Sequence, residues 1–341
     1  MRSVRPLTSR RVLGICLLLL AVLFVAVVIS LRMGAYPISV RDIVMTLFNG
    51  ALGRRERIPS EFWLVVFGLR LPRIALGILV GAALSTAGAG FQALLRNPLA
   101  DPYVLGVSSG AALGAILSLI ALPFTPGAIQ AAAFAGAAAT IAAVYFLGRR
   151  GGQLDSATLL LAGIVAATFL SAVIIFLMTS LSGRDLRGMA FWLMGDLSSS
   201  PAVNLRWLYL VLIIALGSIY TTSADLNLIL TGEQEARHLG VNVNRVKLVV
   251  YVAASVLTGL AVSVSGAIGY VGLLVPHVMR MLFGTDYRLL IPTSAIGGAI
   301  IIVVADLLAR TIVAPTELPV GAMTAIAGAP VFIYLMRRRV R

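Results

Sequence analysis

The fold this sequence predicts is a polytopic all-α membrane protein of about ten transmembrane helices, and three observations predict it. Sixty per cent of the 341 residues are apolar and only 12% are charged, against about 45–50% and 25% in soluble domains. The apolar residues come in successive runs of about 20, the length that crosses roughly 30 Å of hydrocarbon. A pattern between Gly81 and Leu95 also returns between Gly259 and Leu274. The net charge of +14 gives no case for nucleic acid, because the basic residues lie between apolar runs, where lipid headgroups and topology explain them. The single cysteine, Cys16, leaves neither a disulfide framework nor a cysteine metal site.

The first run, Val12 to Leu31, follows Arg2, Arg5, Arg10 and Arg11 and shows no clear cleavage site, so it reads as a retained span. The second, 64–95, contains Arg70-Leu-Pro-Arg73 and ends before a polar Asn97-Pro-Leu-Ala turn; its length allows an exposed or broken end. The others are 103–122, 128–148, 157–180, 207–222, 247–265, 267–283, 289–308 and 318–336. Ten spans place both termini on one side. With the N-terminus inside, the inner face holds 16 of the 27 Lys and Arg residues. Seven of the remaining 11 sit between Arg32 and Arg73, in a long outer loop that weighs little in orientation. Both ends are expected in the cytoplasm.

The repeat aligns Gly81-Ala-Ala-Leu-Ser85-Thr-Ala-Gly88-Ala89 with Gly259-Leu-Ala-Val-Ser263-Val-Ser-Gly266-Ala267. Phe91 to Leu95 then answers Tyr270 to Leu274, and a proline follows each, Pro98 and Pro276. The copies begin in spans two and seven, which cross in opposite directions. An inverted repeat with halves at about 64–180 and 247–336 is therefore expected, a design that recurs in transporters. The small residues also let helix backbones approach closely.

Nothing here supplies energy. The only lysine, Lys247, has no glycine-rich turn before it, so the chain lacks a Walker A loop. Asp306 is expected to pair with Arg310 one turn later, and His277, after Pro276 near a helix start, to make a helix–helix contact. The largest inner loop, about 223–246, carries Thr231-Gly-Glu-Gln234, which reads as a capping box. Glu233 and Glu235 would open a helix of about two turns, Arg237 and His238 would close it, and Gly240 would end it left-handed. Such a helix is too short to stand alone and suits docking into a groove of another subunit.

Four ordered segments resemble the permease subunits of ABC importers for iron chelates, haem and cobalamin. They are Arg70-Leu-Pro-Arg73; Gln92 to Pro102 leading into Leu105-Gly-Val-Ser-Ser-Gly110; Gly232 to Gly240; and Glu317-Leu-Pro-Val-Gly321 with Gly328-Ala-Pro-Val-Phe332. The match runs from about Arg70 to Met336. It implies ten helices per subunit and a central pathway between two subunits, most simply a homodimer in the inner membrane lipid. Two cytoplasmic ATPase subunits and an outer solute-binding protein complete that machine, and the permease itself holds no cofactor, metal or catalytic residue.

The resemblance also implies site residues. Glu233, Glu235, Ala236, Arg237, Leu239 and Gly240 would couple to the ATPase, and Arg70, Arg73 and Arg310 would receive glutamates of the binding protein. Asn97 and Leu99, with Ser156 and Ala157, would form a cytoplasmic gate; Ala157 stands where relatives often carry a hydroxyl. Spans five and ten would line the pathway. The motifs are shared by siderophore, haem and cobalamin permeases, and iron complexes come first as the commonest cargo. Two other classes remain open at this point. Gly106-Val-Ser108-Ser-Gly110 fits the G-x-S-x-G pattern of serine hydrolases, although a nucleophile elbow needs a strand before it. A passive channel or ion-coupled carrier would not need the capped loop.

Overall fold

The computed structural model describes residues 8–34, 36–122, 125, 127–150, 153–179, 183–198, 204–314 and 316–339. Arg2, Arg5, Arg341 and the end of the fifth expected span at residue 180 lie outside them. Helix α1 (Ser9–Arg32) is followed by an amphipathic helix, α2 (Val40–Ala51), in the long segment before the second expected span. One continuous helical stretch then joins α3 (Ser60–Trp63), a π-helical segment (Leu64–Arg70) and α4 (Leu71–Leu94). The wide turn has a local cause. Pro72 has no N–H to continue the ordinary ladder, and the N–H of Leu71 reaches back five residues to the carbonyl of Val66.

The chain continues through α5 (Val107–Ala121), α6 (Ala128–Leu147), α7 (Ser156–Met178) and α8 (Gly183–Leu193). Next come α9 (Leu205–Thr221), α10 (Ser223–Thr231), the short α11 (Glu233–His238) and α12 (Val243–Ser265). The last helices are α13 (Val271–Phe283), α14 (Tyr287–Thr311) and α15 (Val320–Arg339). A two-residue antiparallel bridge, Arg149–Arg150 with Gln153–Leu154, is the strand structure among the described residues. The expected all-α, polytopic class therefore holds. Among the described residues, six helices are long and apolar enough to cross a membrane, and α9 with α10 qualifies as a pair bent by 45°. Three shorter apolar helices are Val107–Ala121, Val271–Phe283 and Val320–Leu335.

Helix α4 is the axis of the packing: every residue from Leu79 to Leu94 is buried. It lies among α9, α12, α13 and α14, with α5 and α6 beyond α12 and with α1 laid against α14. Small residues permit this closeness. A Cβ at Gly81 would stand 2.2 Å from the carbonyl oxygen of Gly298 on α14, and one at Gly88 would stand 1.8 Å from that of Gly272 on α13. Without a hydrophobic drive between helices in lipid, such backbone contact is what dispersion needs.

The two sequence copies take different courses from their second glycine. Gly88 lies mid-helix, whereas Gly266 ends α12 at φ +65 and the chain stays unwound until Val271. The expected eighth span thus starts later than residue 267. The hydroxyl of Tyr103 tethers this unwound piece, accepting from Ile268 N and donating to Ile268 O, both at 3.0 Å. His277 is buried in the middle of α13, and Pro276 lies inside that helix; a helix start does not form there, because Tyr270 caps α13 upstream.

Candidate functional site

Three groups of functional side chains were expected from the sequence, and the fold places them in two regions. At the end of α4 that carries Arg70, the three arginines converge but are buried, each only 6–8% exposed. The guanidinium of Arg70 donates to the carbonyls of Leu31 and Tyr36, and at 3.4 Å to that of Arg32. It closes the end of α1. Arg73 points elsewhere: its Nε donates to Asp306 Oδ1 and its Nη1 to Glu317 Oε2, both at 2.7 Å. Arg70 and Arg73, three residues apart, thus use two different sets of acceptors. Arg310 donates from Nε to Asp306 Oδ2 at 3.0 Å and from Nη2 to Ser30 Oγ at 2.8 Å. The expected Asp306–Arg310 pair is present, and sequence reasoning missed that Asp306 also serves Arg73. The side chain of Glu317 is 51% exposed, so the outer edge of this network reaches the surface.

At the other end of α4, a Schellman motif closes the helix. Asn97 N donates to Gln92 O at 3.1 Å and Arg96 N to Ala93 O at 3.2 Å, with Arg96 at φ 50 where glycine is the usual residue. Asn97 Oδ1 accepts from Leu99 N at 2.9 Å, which folds the Asn-Pro-Leu turn and leaves Leu99 43% exposed. Ser156, at the start of α7, donates from its hydroxyl to Leu94 O at 3.1 Å. Ser156 is therefore joined to the last turn of α4, three residues before Asn97, and Ala157 is exposed. Gln92 binds the turn to α13, donating to Leu273 O at 3.1 Å and accepting from Arg280 Nη2 at 3.0 Å.

Helix α11 lies against the same end. Its charges follow expectation, with Glu233 and Glu235 in the first turn and Arg237 and His238 in the last, and Gly240 is left-handed at φ +87. The capping box does not form. Thr231 is the last residue of α10, and its hydroxyl donates to Leu228 O at 2.8 Å, so Gly232 becomes the N-cap with no side-chain cap. Ala236 is fully buried, while Leu239 is 66% exposed. Glu233 accepts from Lys247 Nζ at 2.7 Å.

The hydrolase motif has no elbow. Gly106 is the left-handed cap of α5, and a 3₁₀ turn, Pro102–Leu105, comes before it where a strand would be required.

The chain matches the FecCD transport family over residues 21–338. It belongs to that family. It is 41% identical over 333 residues to an uncharacterised ABC transporter permease protein, YvrB, of Bacillus subtilis, covering 94% of this chain and 92% of that one. It is 43% identical over 282 residues to the cobalamin import system permease protein BtuC of Halobacterium salinarum, covering 83% and 76%. It is 39% identical over 343 residues to the hemin transport system permease protein HmuU of Yersinia pestis, covering 97% and 96%. A solved structure of a metal-chelate type ABC transporter in an inward-facing conformation superposes with a TM-score of 0.81 at 30% identity, covering 96% and 99%. Like other FecCD members, this chain is a membrane-spanning permease subunit, and ATP is hydrolysed by separate subunits of the importer.

Proposed function

We propose that this permease carries an iron chelate, a siderophore complex or haem, across the bacterial inner membrane, with cobalamin as the second cargo. The observation that carries the reading is α11. It buries Ala236, pairs Glu233 with Lys247 and leaves Leu239 exposed, the pattern of a short helix held on one side and presented to a partner on the other. Relatives named for cobalamin, hemin and Fe(3+)-citrate import support the cargo class.

The working assembly in this reading is a homodimer of the permease with two cytoplasmic ATPase subunits and an outer solute-binding protein, both termini of each permease lying in the cytoplasm. Large exposed apolar side chains on α7 and α15, such as Phe169 at 66% and Ile326 at 71%, support these helices as faces of the pathway and dimer. Glu317 supports docking at the arginine cluster: a carboxylate already meets Arg73 from a half-exposed position. Carboxylates of the binding protein would exchange with it there. Asn97, Leu99, Ser156 and Ala157 form the gate.

The test is uptake into proteoliposomes containing permease, ATPase and binding protein, with ferric siderophore, haemin, ferric citrate and cyanocobalamin as separate probes. ATP-dependent accumulation of one iron complex is expected. Accumulation without ATP would overturn the importer reading, and accumulation of cyanocobalamin alone would replace the cargo.

A further inference from the structure

Arg96 occupies a position where glycine is the easy choice. An L-residue in the left-handed region costs roughly 1 kcal/mol, so the side chain must supply something a glycine lacks. It supplies reach. The Arg96 guanidinium donates from Nη2 to Ile229 O on α10 at 2.6 Å and places Nη1 4.0 Å from Glu233 Oε1 on α11. The same Glu233 oxygen lies 2.7 Å from Lys247 Nζ on α12. Lys247 is 7% exposed, and its ammonium donates to Leu154 O at 3.4 Å. Arg96 directly precedes the gate residue Asn97, and Leu154 stands two residues before Ser156. Ser156 closes the circuit through Leu94.

We propose that Arg96, Glu233 and Lys247 are positioning residues that couple α11 to both cytoplasmic gate segments at once. The proposal rests on the importer reading. Glu233 is the node: one carboxylate holds the cation of the turn after α4 and the cation that touches the segment before α7. A shift of α11 must carry both or break a partly buried ion pair, whose loss strands the Lys247 ammonium with a single long contact. Long charged side chains suit the task because they keep hold across several ångströms while the backbones move.

The test uses the whole complex of permease, ATPase and binding protein in liposomes, with Cys16→Ser and Leu99→Cys giving one reporter thiol at the gate. Labelling of that thiol by a membrane-impermeant maleimide is compared without nucleotide and with ATP plus vanadate. The parent is expected to change its labelling rate with nucleotide. Arg96→Gly keeps the left-handed turn, and the strain it relieves offsets part of the lost hydrogen bond to Ile229, so its thermal stability should fall only modestly, while the nucleotide-driven change in labelling is lost and ATP hydrolysis persists. Glu233→Gln, isosteric and partly exposed, should also lose the nucleotide-driven change in labelling, and it decides the question if Arg96→Gly does not assemble. An unchanged response in both single variants would overturn the relay. A parent that shows no response to nucleotide would overturn the assignment of Leu99 to the gate instead, while ATP-dependent uptake tests the importer reading separately.

Discussion

Arg73 on α4 and Asp306 on α14 are 233 residues apart in sequence and share a buried 2.7 Å ion pair. Asp306 spends its second oxygen on Arg310 at 3.0 Å, so one carboxylate bridges two guanidinium groups between the packed helices, and Glu317 supplies a second negative charge at Arg73. The helices can approach because Gly81 and Gly298 meet backbone to backbone, and this approach brings side chains from distant segments within reach. The cluster is thus first a structural clasp, and the docking proposed for it would work through its half-exposed member, Glu317.

Asp306→Asn is expected to destabilise the permease by about 3–5 kcal/mol, the usual effect of removing one partner from a buried ion pair, because two buried arginines lose their shared counter-charge. Thermal unfolding of the detergent-solubilised complex measures it. A melting temperature equal to that of the parent would show that the arginines find other acceptors.

Glu317→Gln removes the carboxylate from Arg73 Nη1 while keeping the side-chain shape. If binding-protein carboxylates exchange with Glu317, the variant should bind that protein more tightly, and the gain should shrink as salt rises. Affinity over a salt series checks this. Weaker binding would mean that Glu317 itself contacts the partner.

Much of the fold was legible in the sequence because apolar span length is a local quantity. The starts and ends of most long helices fall within a few residues of the hydrophobic runs, and the polar turn after α4 is encoded by Asn97, Pro98 and Arg96. The double role of Asp306 was not legible, since a pair between α4 and α14 leaves no pattern in either segment. The capping box was misread for another reason. The hydroxyl of Thr231 had two backbone partners to choose between, and the end of α10 won it. The wide turn before α4 did leave a signal, Pro72, whose ring clashes with the carbonyl four residues back in an ordinary helix.

Asp101 carries a pH dependence. Burial pushes its carboxyl up to about 6, against a smaller opposing effect of the hydrogen bond it accepts from Tyr103 N. A carboxyl with a raised folded-state pKa binds more protons when folded. Its contribution is therefore full below about pH 4, the unfolded value, and is lost as pH rises through about 6. Stability should fall across that window, and Asp101→Asn, which keeps the cap and cannot ionise, should flatten the slope. Melting temperatures of both proteins from pH 4 to 7 provide the comparison, and identical slopes would remove Asp101 as the source.

The docking proposed for α11 on the ATPase would be divided between its charges and its exposed leucine. Glu235→Lys reverses a charge in the first turn, an effect of about 0.3–1 kcal/mol through the helix dipole at an exposed site. Leu239→Ala removes most of an apolar side chain that is 66% exposed in the isolated subunit and would be covered on docking. Burying a leucine side chain contributes about 1.5–3 kcal/mol, so the alanine variant should weaken ATPase association roughly ten- to hundredfold at about 1.4 kcal/mol per decade. The larger loss is therefore expected from Leu239→Ala and the smaller from Glu235→Lys. Titration of purified ATPase subunits onto permease in nanodiscs reads both, with the melting temperature of the permease alone as the control for folding. If Glu235→Lys dominates, docking is electrostatic and should fade with salt. If neither variant changes the affinity at normal melting temperature, α11 is not the docking element.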